Sequence, residues 1–187
     1  MTLVLASRSP QRRAILTQLG FAFRIAEPAY DERPLPVAPY ELAERHSRGK
    51  ALSVEAHAGE TVLGVDTVVV VDGQVLGKPA DAAEAMRMLA LLAGRPHEVV
   101  SGLTLHDERG TDTAHARTTV RFRRLESRAI DEYVARGEWR GRAGAYAIQE
   151  SGAALVTGIE GDFFNVVGLP VALLVALLAE RRRPVSG

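Results

Sequence analysis

The chain of 187 residues contains no cysteine, which excludes disulfides, zinc–thiolate centres and cysteine nucleophiles. It also lacks net charge, with 23 basic against 23 acidic residues, so nothing suggests a nucleic-acid binder working through a broad basic face. No apolar run approaches the roughly 20 residues of a membrane span. The last such run, Leu169 to Ala179, reads as a core helix. The five histidines (His46, His57, His97, His106, His115) include no H-E-x-x-H pair, which weighs against a zinc hydrolase. Neither G-x-G-x-x-G nor a Walker loop occurs, so those two phosphate-binding solutions are out. At the N-terminus, MTLVLASRSPQRR, the arginines follow the apolar run instead of preceding it. That order does not fit a secretory leader, and a cytoplasmic location is the expectation. Lysine is scarce too: only Lys50 and Lys78 stand among the 23 basic residues. Where arginine is the default, a retained lysine is either chance survival or a position that needs a compact ammonium.

What is present is an ordinary globular composition, 47% hydrophobic and 25% charged, with no repeat, low-complexity linker or composition break. The longest β-branched run, Val68 to Val71, suits a strand buried on both faces. Asp66 stands at the start of that run. Asp72-Gly73 then predicts a hairpin turn, since both residues tolerate positive φ, and Gly77-Lys78-Pro79 follows the return strand. Leu3 to Ala6 reads as a strand. Ser9 and Pro10 supply an N-cap and a first helical residue, and Gly20 supplies the stop. A second strand is expected over Phe21 to Ala26 and a helix over Pro39 to His57, within which Gly49 has no evident reason. Asp81 and Glu84 open a helix whose inner face is Ala85, Met88, Leu89 and Leu92. Glu98 to Leu105 and Ala114 to Phe122 read as strands, Ser127 to Arg136 as a helix, and Ala154 to Val156 as a last strand. The arginines Arg181 to Arg183 read as a solvated helix end. Irregular alternation around an antiparallel hairpin favours an α/β fold with a mixed sheet.

An ionised Asp66 inside an apolar stretch is costly unless it meets a cation, a metal or water, which makes it a site candidate. Ser7, Arg12 and Arg13 near a helix start, together with Lys78, suit phosphate groups, although a plain capped helix with solvated arginines would look the same. Thr67 and Gln149 can hydrogen-bond a base edge. These residues describe a site for a phosphorylated small molecule, and leave hydrolysis, transfer and mere binding all open.

Five segments narrow the choice. LASRSPQRRAIL (Leu5 to Leu16), GVDTVVVVDG (Gly64 to Gly73), GKP (Gly77 to Pro79), AGAYAIQESGA (Ala143 to Ala153) and IEGDFFNVVGLP (Ile159 to Pro170) occur in that order. Together they resemble the Maf family of nucleoside triphosphate pyrophosphatases over nearly the whole chain. The resemblance implies one domain over residues 1–187, with two lobes sharing an elongated mixed sheet flanked by helices. It also implies a central cleft, a fold like that of inosine triphosphate pyrophosphatases, and often a homodimer. It implies hydrolysis of a nucleoside triphosphate to monophosphate and pyrophosphate with a divalent cation, Mg²⁺ or Mn²⁺, and no nucleic-acid or membrane partner. On the matching positions, Asp66 is implied as the catalytic carboxylate and, with Glu32, as a metal ligand. Ser7, Arg13, Lys50 and Lys78 are implied as phosphate contacts, so both lysines of the chain fall on site positions.

Base choice in the family is associated with the positions of Gln11, Thr67 and Gln149. Thr67 and Gln149 resemble the branch acting on dTTP and UTP, whereas Gln11 departs from the arginine usual there and Glu150 from a usual glycine. A 7-methyl-GTP pyrophosphatase, a nucleotide-binding regulator of septum formation and a nucleotidyl transferase are the other readings. The first differs by its preferred triphosphate, the second by slow turnover, and the third by its need for a second substrate.

Overall fold

A computed structural model describes residues 2–182. Seven strands form one sheet in the order β2-β1-β3-β5-β6-β7, with β4 paired to β3. β1 (Thr2–Ala6) lies parallel to both β2 (Phe23–Ala26) and β3 (Glu60–Val71), while β4 (Gln74–Leu76) is antiparallel to β3. β5 (Pro96–Asp107) leads to β6 (Gly110–Phe122) through two residues, and β7 (Val156–Glu160) is antiparallel to β6. The sheet is therefore mixed, as expected.

Two compact units are distinguished, one of residues 2–66, 101–116 and 168–182, the other of residues 67–100 and 117–167. In the first, α1 (Pro10–Gln18), α2 (Pro39–Leu52) and α6 (Val171–Arg182) accompany β1, β2 and the first part of β3. Ser9 caps α1 by accepting from the Arg12 N–H, Pro10 opens it, and Gly20 leaves it at φ 71°. α2 presses close to the sheet because two strand positions have no side chain. A Cβ on Gly64 would strike the Ser47 carbonyl, and one on Gly102 would strike the backbone of Ala43 and Glu44. The Ser47 hydroxyl bonds Thr104 at 2.9 Å across that contact, which fixes the helix along the strand direction.

The second unit is built round a core of Val69, Val71, Leu89, Leu92, Val99, Phe122, Tyr133, Trp139 and Tyr146, with α3 (Ala82–Leu92) and α4 (Ser127–Ala135). Asp81 and Glu84 cap α3 as anticipated: Asp81 accepts from the Glu84 N–H, and the Glu84 carboxylate accepts from the Ala80 N–H at 2.7 Å. Buried His97 bonds the Tyr146 hydroxyl at 2.9 Å, and burial drives its imidazole pKa down to about 4. The Asp72-Gly73 turn has positive φ at both residues, 49° and 78°, and joins β3 to β4 as the dipeptide predicted.

Several boundaries depart from the sequence reading. α2 stops at Leu52, not His57, because the Ser53 hydroxyl takes the Lys50 carbonyl and the chain turns away. The second strand starts at Phe23 instead of Phe21. The β5–β6 hairpin is longer at both ends than predicted, with Thr104–Thr113 and His106–Thr111 hydrogen bonds holding its polar part. Residues Ser151–Leu155 form a 3₁₀ turn, and the last strand begins only at Val156. Its pairing with β6 outweighs the weak strand propensity of Gly158 and Glu160. Asp66 is not at the mouth of a strand but in the middle of the twelve residues of β3.

Arg181, at the end of α6, also differs from expectation. Its side chain is buried, 6% exposed, and pairs with Asp107 at 2.7 Å and Asp112 at 2.6 Å. It also donates to the Leu105 and Gly110 carbonyls, so α6 is fastened to the β5–β6 hairpin. Arg183 lies outside the described residues. Burial alone would raise the Asp107 pKa, but Arg109, Arg181 and Thr61 together hold its carboxyl well below the usual range. A depressed carboxyl contributes stability that is complete above the ordinary carboxylate pKa and is lost as pH falls. Arg181→Ala, which leaves Arg109 on Asp107, is expected to cost about 3 kcal/mol at neutral pH and to flatten the acid dependence. Urea denaturation at a series of pH values measures both, and a wild-type acid slope in the variant would contradict this role.

Among the described residues no helix is long and apolar enough to cross a membrane.

Candidate active site

Three chain segments converge in the first unit on one ammonium group. Lys50, near the end of α2, places its Nζ 2.6 Å from the Asp66 carboxylate of β3 and 2.8 Å from the Glu32 carboxylate. Glu32 belongs to the stretch between β2 and α2. Lys50 and Asp66 are buried, with side chains 6% and 8% exposed, whereas Glu32 reaches solvent at 42%. The close seating of α2 on Gly64 makes this possible, since it brings Lys50 onto the strand two residues before Asp66.

A second cation completes the cluster. Arg12 is buried and donates from Nε to the Gly168 carbonyl at 2.8 Å. Its Nη1 donates to the Val65 carbonyl at 2.8 Å and to the Ser7 hydroxyl at 3.1 Å. Burial lowers its pKa, and the Asp66 and Glu32 charges oppose that shift. Two carboxylates and two cations thus balance one another in a poorly solvated site, which is what makes their burial tolerable. Arg12 also ties the peptide just before Asp66 to the β1–α1 turn, so the carboxylate's backbone is fixed from the helix side.

The nearby Tyr30 hydroxyl is bonded to His46 Nδ1 at 3.1 Å. Its pKa is raised by burial first, then by Asp66 and Glu32, which places its phenol in the field of the same carboxylates.

Of the residues singled out from sequence, Ser7, Glu32, Lys50 and Asp66 are therefore brought together in this unit. Gln11 is half-exposed on the first turn of α1, its side-chain oxygen accepting from the Ser9 hydroxyl at 3.2 Å. Arg13 is exposed beside buried Arg12, so the adjacent arginines divide between a structural clamp and a solvent-facing charge. Thr67, Lys78 and Gln149 belong to the second unit. There the Lys78 segment and the segment leading to Gln149 are joined, because the Gly144 N–H donates to the Gly77 carbonyl at 3.0 Å. Gln149 is exposed at the tip of a tight turn closed by the Glu150 N–H on the Ala147 carbonyl. Glu150 reaches back to Arg142 at 3.1 Å, so this acid braces the turn.

Sequence reasoning missed Tyr30, His46 and Gly64, and took Arg12 for a phosphate-site cation where it clamps the Val65 and Gly168 carbonyls. For α2 a signal existed: His46, Gly49 and Lys50 fall at i, i+3 and i+4 and share a helix face.

Among the described residues no group of three or more His, Asp or Glu side chains is arranged to hold a metal ion. Glu32 and Asp66, both held on Lys50 Nζ, are the two carboxylates that could take up Mg²⁺ or Mn²⁺, with substrate oxygens and water completing the shell.

The chain is 47% identical over 187 residues to a dTTP/UTP pyrophosphatase of Symbiobacterium thermophilum, covering 98% of this chain and 95% of that one. It is 50% identical over 183 residues to a dTTP/UTP pyrophosphatase of Moorella thermoacetica, covering 95% and 93%. Among solved structures, a HAM1 protein from Coxiella burnetii shares the fold with a TM-score of 0.52 at 18% identity, covering 96% of this chain and 99% of that one. The family model described as "Maf-like protein" matches residues 2–181. The chain belongs to the Maf-like protein family.

Proposed function

We propose that this protein is a nucleoside triphosphate pyrophosphatase acting on dTTP and UTP, releasing the monophosphate and pyrophosphate. The observation that carries the reading is the Glu32–Lys50–Asp66 cluster, buried at Lys50 and Asp66 and open to solvent at Glu32. It lies in a chain nearly half identical, end to end, to relatives named for that activity. A carboxylate kept in place among cations, with its charge compensated, suits water activation beside a polyanion.

In this mechanism a water oxygen attacks the α-phosphorus. The new P–O bond forms as the α–β bridging bond breaks, and pyrophosphate leaves with the bonding pair. The water's proton passes to Asp66 and then to solvent. Lys50, held by two carboxylates in the structure, exchanges one of them for a phosphate oxygen, which releases Asp66 to accept the proton. Arg13 and Lys78 supply further positive charge to the phosphates, and Ser7 a hydroxyl. A divalent cation held by Glu32, Asp66 and substrate oxygens would offset phosphate charge. Gln11, Thr67 and Gln149 are the proposed base-reading residues, each able to donate and accept hydrogen bonds. The proposed compartment is the cytoplasm.

A panel of common and modified triphosphates, assayed for pyrophosphate with Mg²⁺ or Mn²⁺, tests this reading. Fastest release from dTTP and UTP is expected. Preference for 7-methyl-GTP, or tight binding with negligible turnover, would contradict it.

A further inference from the structure

The stretch between β2 and α2, residues 27–38, carries Glu32 but forms no regular structure. Within the loop the Val37 N–H donates to the Leu35 carbonyl, and the Asp31–Arg33 pair is exposed. Such a segment does not by itself hold a carboxylate within 3 Å of a buried ammonium, as Glu32 is held on Lys50 at 2.8 Å. Two residues before Glu32, Tyr30 provides the attachment. Its hydroxyl pairs with His46 Nδ1 at 3.1 Å, and the two rings meet edge to face with centroids 5.7 Å apart. The Tyr30 ring also lies so close to α2 that a Cβ on Gly49 would fall within it.

His46, Gly49 and Lys50 occupy one face of α2, at i, i+3 and i+4. On the loop, Tyr30 and Glu32 are separated by one residue, the spacing at which an extended chain points side chains the same way. One helix face thus receives the loop at three successive places: a hydrogen-bond partner for the phenol, a side-chain gap for the ring, and the ammonium for the carboxylate. Gly49, an unfavourable residue inside a helix, thereby gains a reason.

We propose that Tyr30, seated on Gly49 and bonded to His46, is a positioning residue that sets Glu32 against Lys50 and Asp66. This inference rests on the function proposed above for Glu32, but its structural half stands apart from any activity. The Tyr30–His46 pair does not touch the reacting atoms in this account. It determines how much of the time the loop carboxylate is in place.

The test pairs backbone ¹⁵N order parameters over residues 27–38 with steady-state kinetics on dTTP, in Tyr30→Phe, Tyr30→Ala and Gly49→Ala. Tyr30→Phe keeps the ring and loses one hydrogen bond, so the loop should loosen only slightly. Tyr30→Ala and Gly49→Ala should take the order parameters around Glu32 from about 0.85 to below about 0.6, with those of β3 unchanged. In both, kcat should fall by roughly 10-fold or more while KM moves less, because a mispositioned group costs rate when the reacting geometry is lost. Tyr30→Phe should recover most of the rate lost in Tyr30→Ala. Wild-type order parameters in Tyr30→Ala and Gly49→Ala would overturn the proposal whether or not the enzyme turns over dTTP. A loosened loop with unchanged kcat would overturn the positioning role. Should Gly49→Ala not fold, the two Tyr30 variants decide.

Discussion

Asp66→Asn is expected to lower the rate of pyrophosphate release from dTTP by about 10²- to 10⁴-fold, the range that a positioned general base contributes. The substitution keeps the shape of the side chain and leaves Lys50 its Glu32 partner at 2.8 Å, so the fold should persist. What it removes is the proton acceptor, and with it one of the two negative charges balancing Arg12 and Lys50. An extra buried positive charge should, if anything, favour a triphosphate, so KM is expected to stay within a few-fold of wild type or to fall. Loss in kcat with retained substrate affinity marks a group acting in the transition state. Steady-state kinetics decides: a variant within a few-fold of wild type would remove Asp66 from the chemistry.

The second large effect is on stability. Gly64→Ala places a methyl group into the Ser47 carbonyl and against the backbone and side chain of Ala51. Neither the main chain of a helix nor an alanine Cβ can rotate aside, so α2 must move off the sheet. Overpacking of this kind costs about 1–3 kcal/mol, and the cost here should reach the upper end because the contact is to main chain. The same displacement carries Lys50 away from Asp66, and activity should fall even at temperatures where the variant remains folded. Gly158→Ala, where no atom lies within 4 Å of the added Cβ, provides the control and should be near neutral. Chemical denaturation and pyrophosphate release on the three proteins check both halves. Equal midpoints for Gly64→Ala and Gly158→Ala would contradict the close seating of the helix.

Local features governed by a few neighbouring residues could be read from the chain in advance. The Ser9-Pro10 helix start, the Asp72-Gly73 hairpin and the Asp81–Glu84 cap each appear where their residues predict. The valine run is indeed buried throughout, each residue at 7% exposure or less. Features set by distant partners could not be read this way. Arg181 looks like one more terminal charge until Asp107 and Asp112 are known to face it. The strand through Val156–Glu160 depends on pairing with β6, and the end of α2 on a single Ser53 hydroxyl. Gly49 is inexplicable without Tyr30, nineteen positions away in the sequence.

The site divides along the same line. Asp66 announced itself as an acid in an apolar stretch. Lys50 and Lys78 stood out against the arginine background, and Glu32 followed only from resemblance. That Glu32, Lys50 and Asp66 share a single ion cluster is a tertiary fact, produced by two glycines that let α2 sit low on the sheet. Of the two neighbouring arginines, the one kept as a phosphate contact, Arg13, faces solvent, while Arg12 turns inward to three oxygen acceptors. A pair of identical adjacent residues carries no sequence signal for which of them is turned in, because that depends on the rotation of α1 against Val65 and Gly168.

The central claim is that water attacks the α-phosphorus and expels pyrophosphate, and turnover of dTTP in ¹⁸O-labelled water tests it most directly. Mass analysis of the products should find the label in the monophosphate and unlabelled pyrophosphate. Label in pyrophosphate, or release of a diphosphate nucleoside with inorganic phosphate, would contradict it.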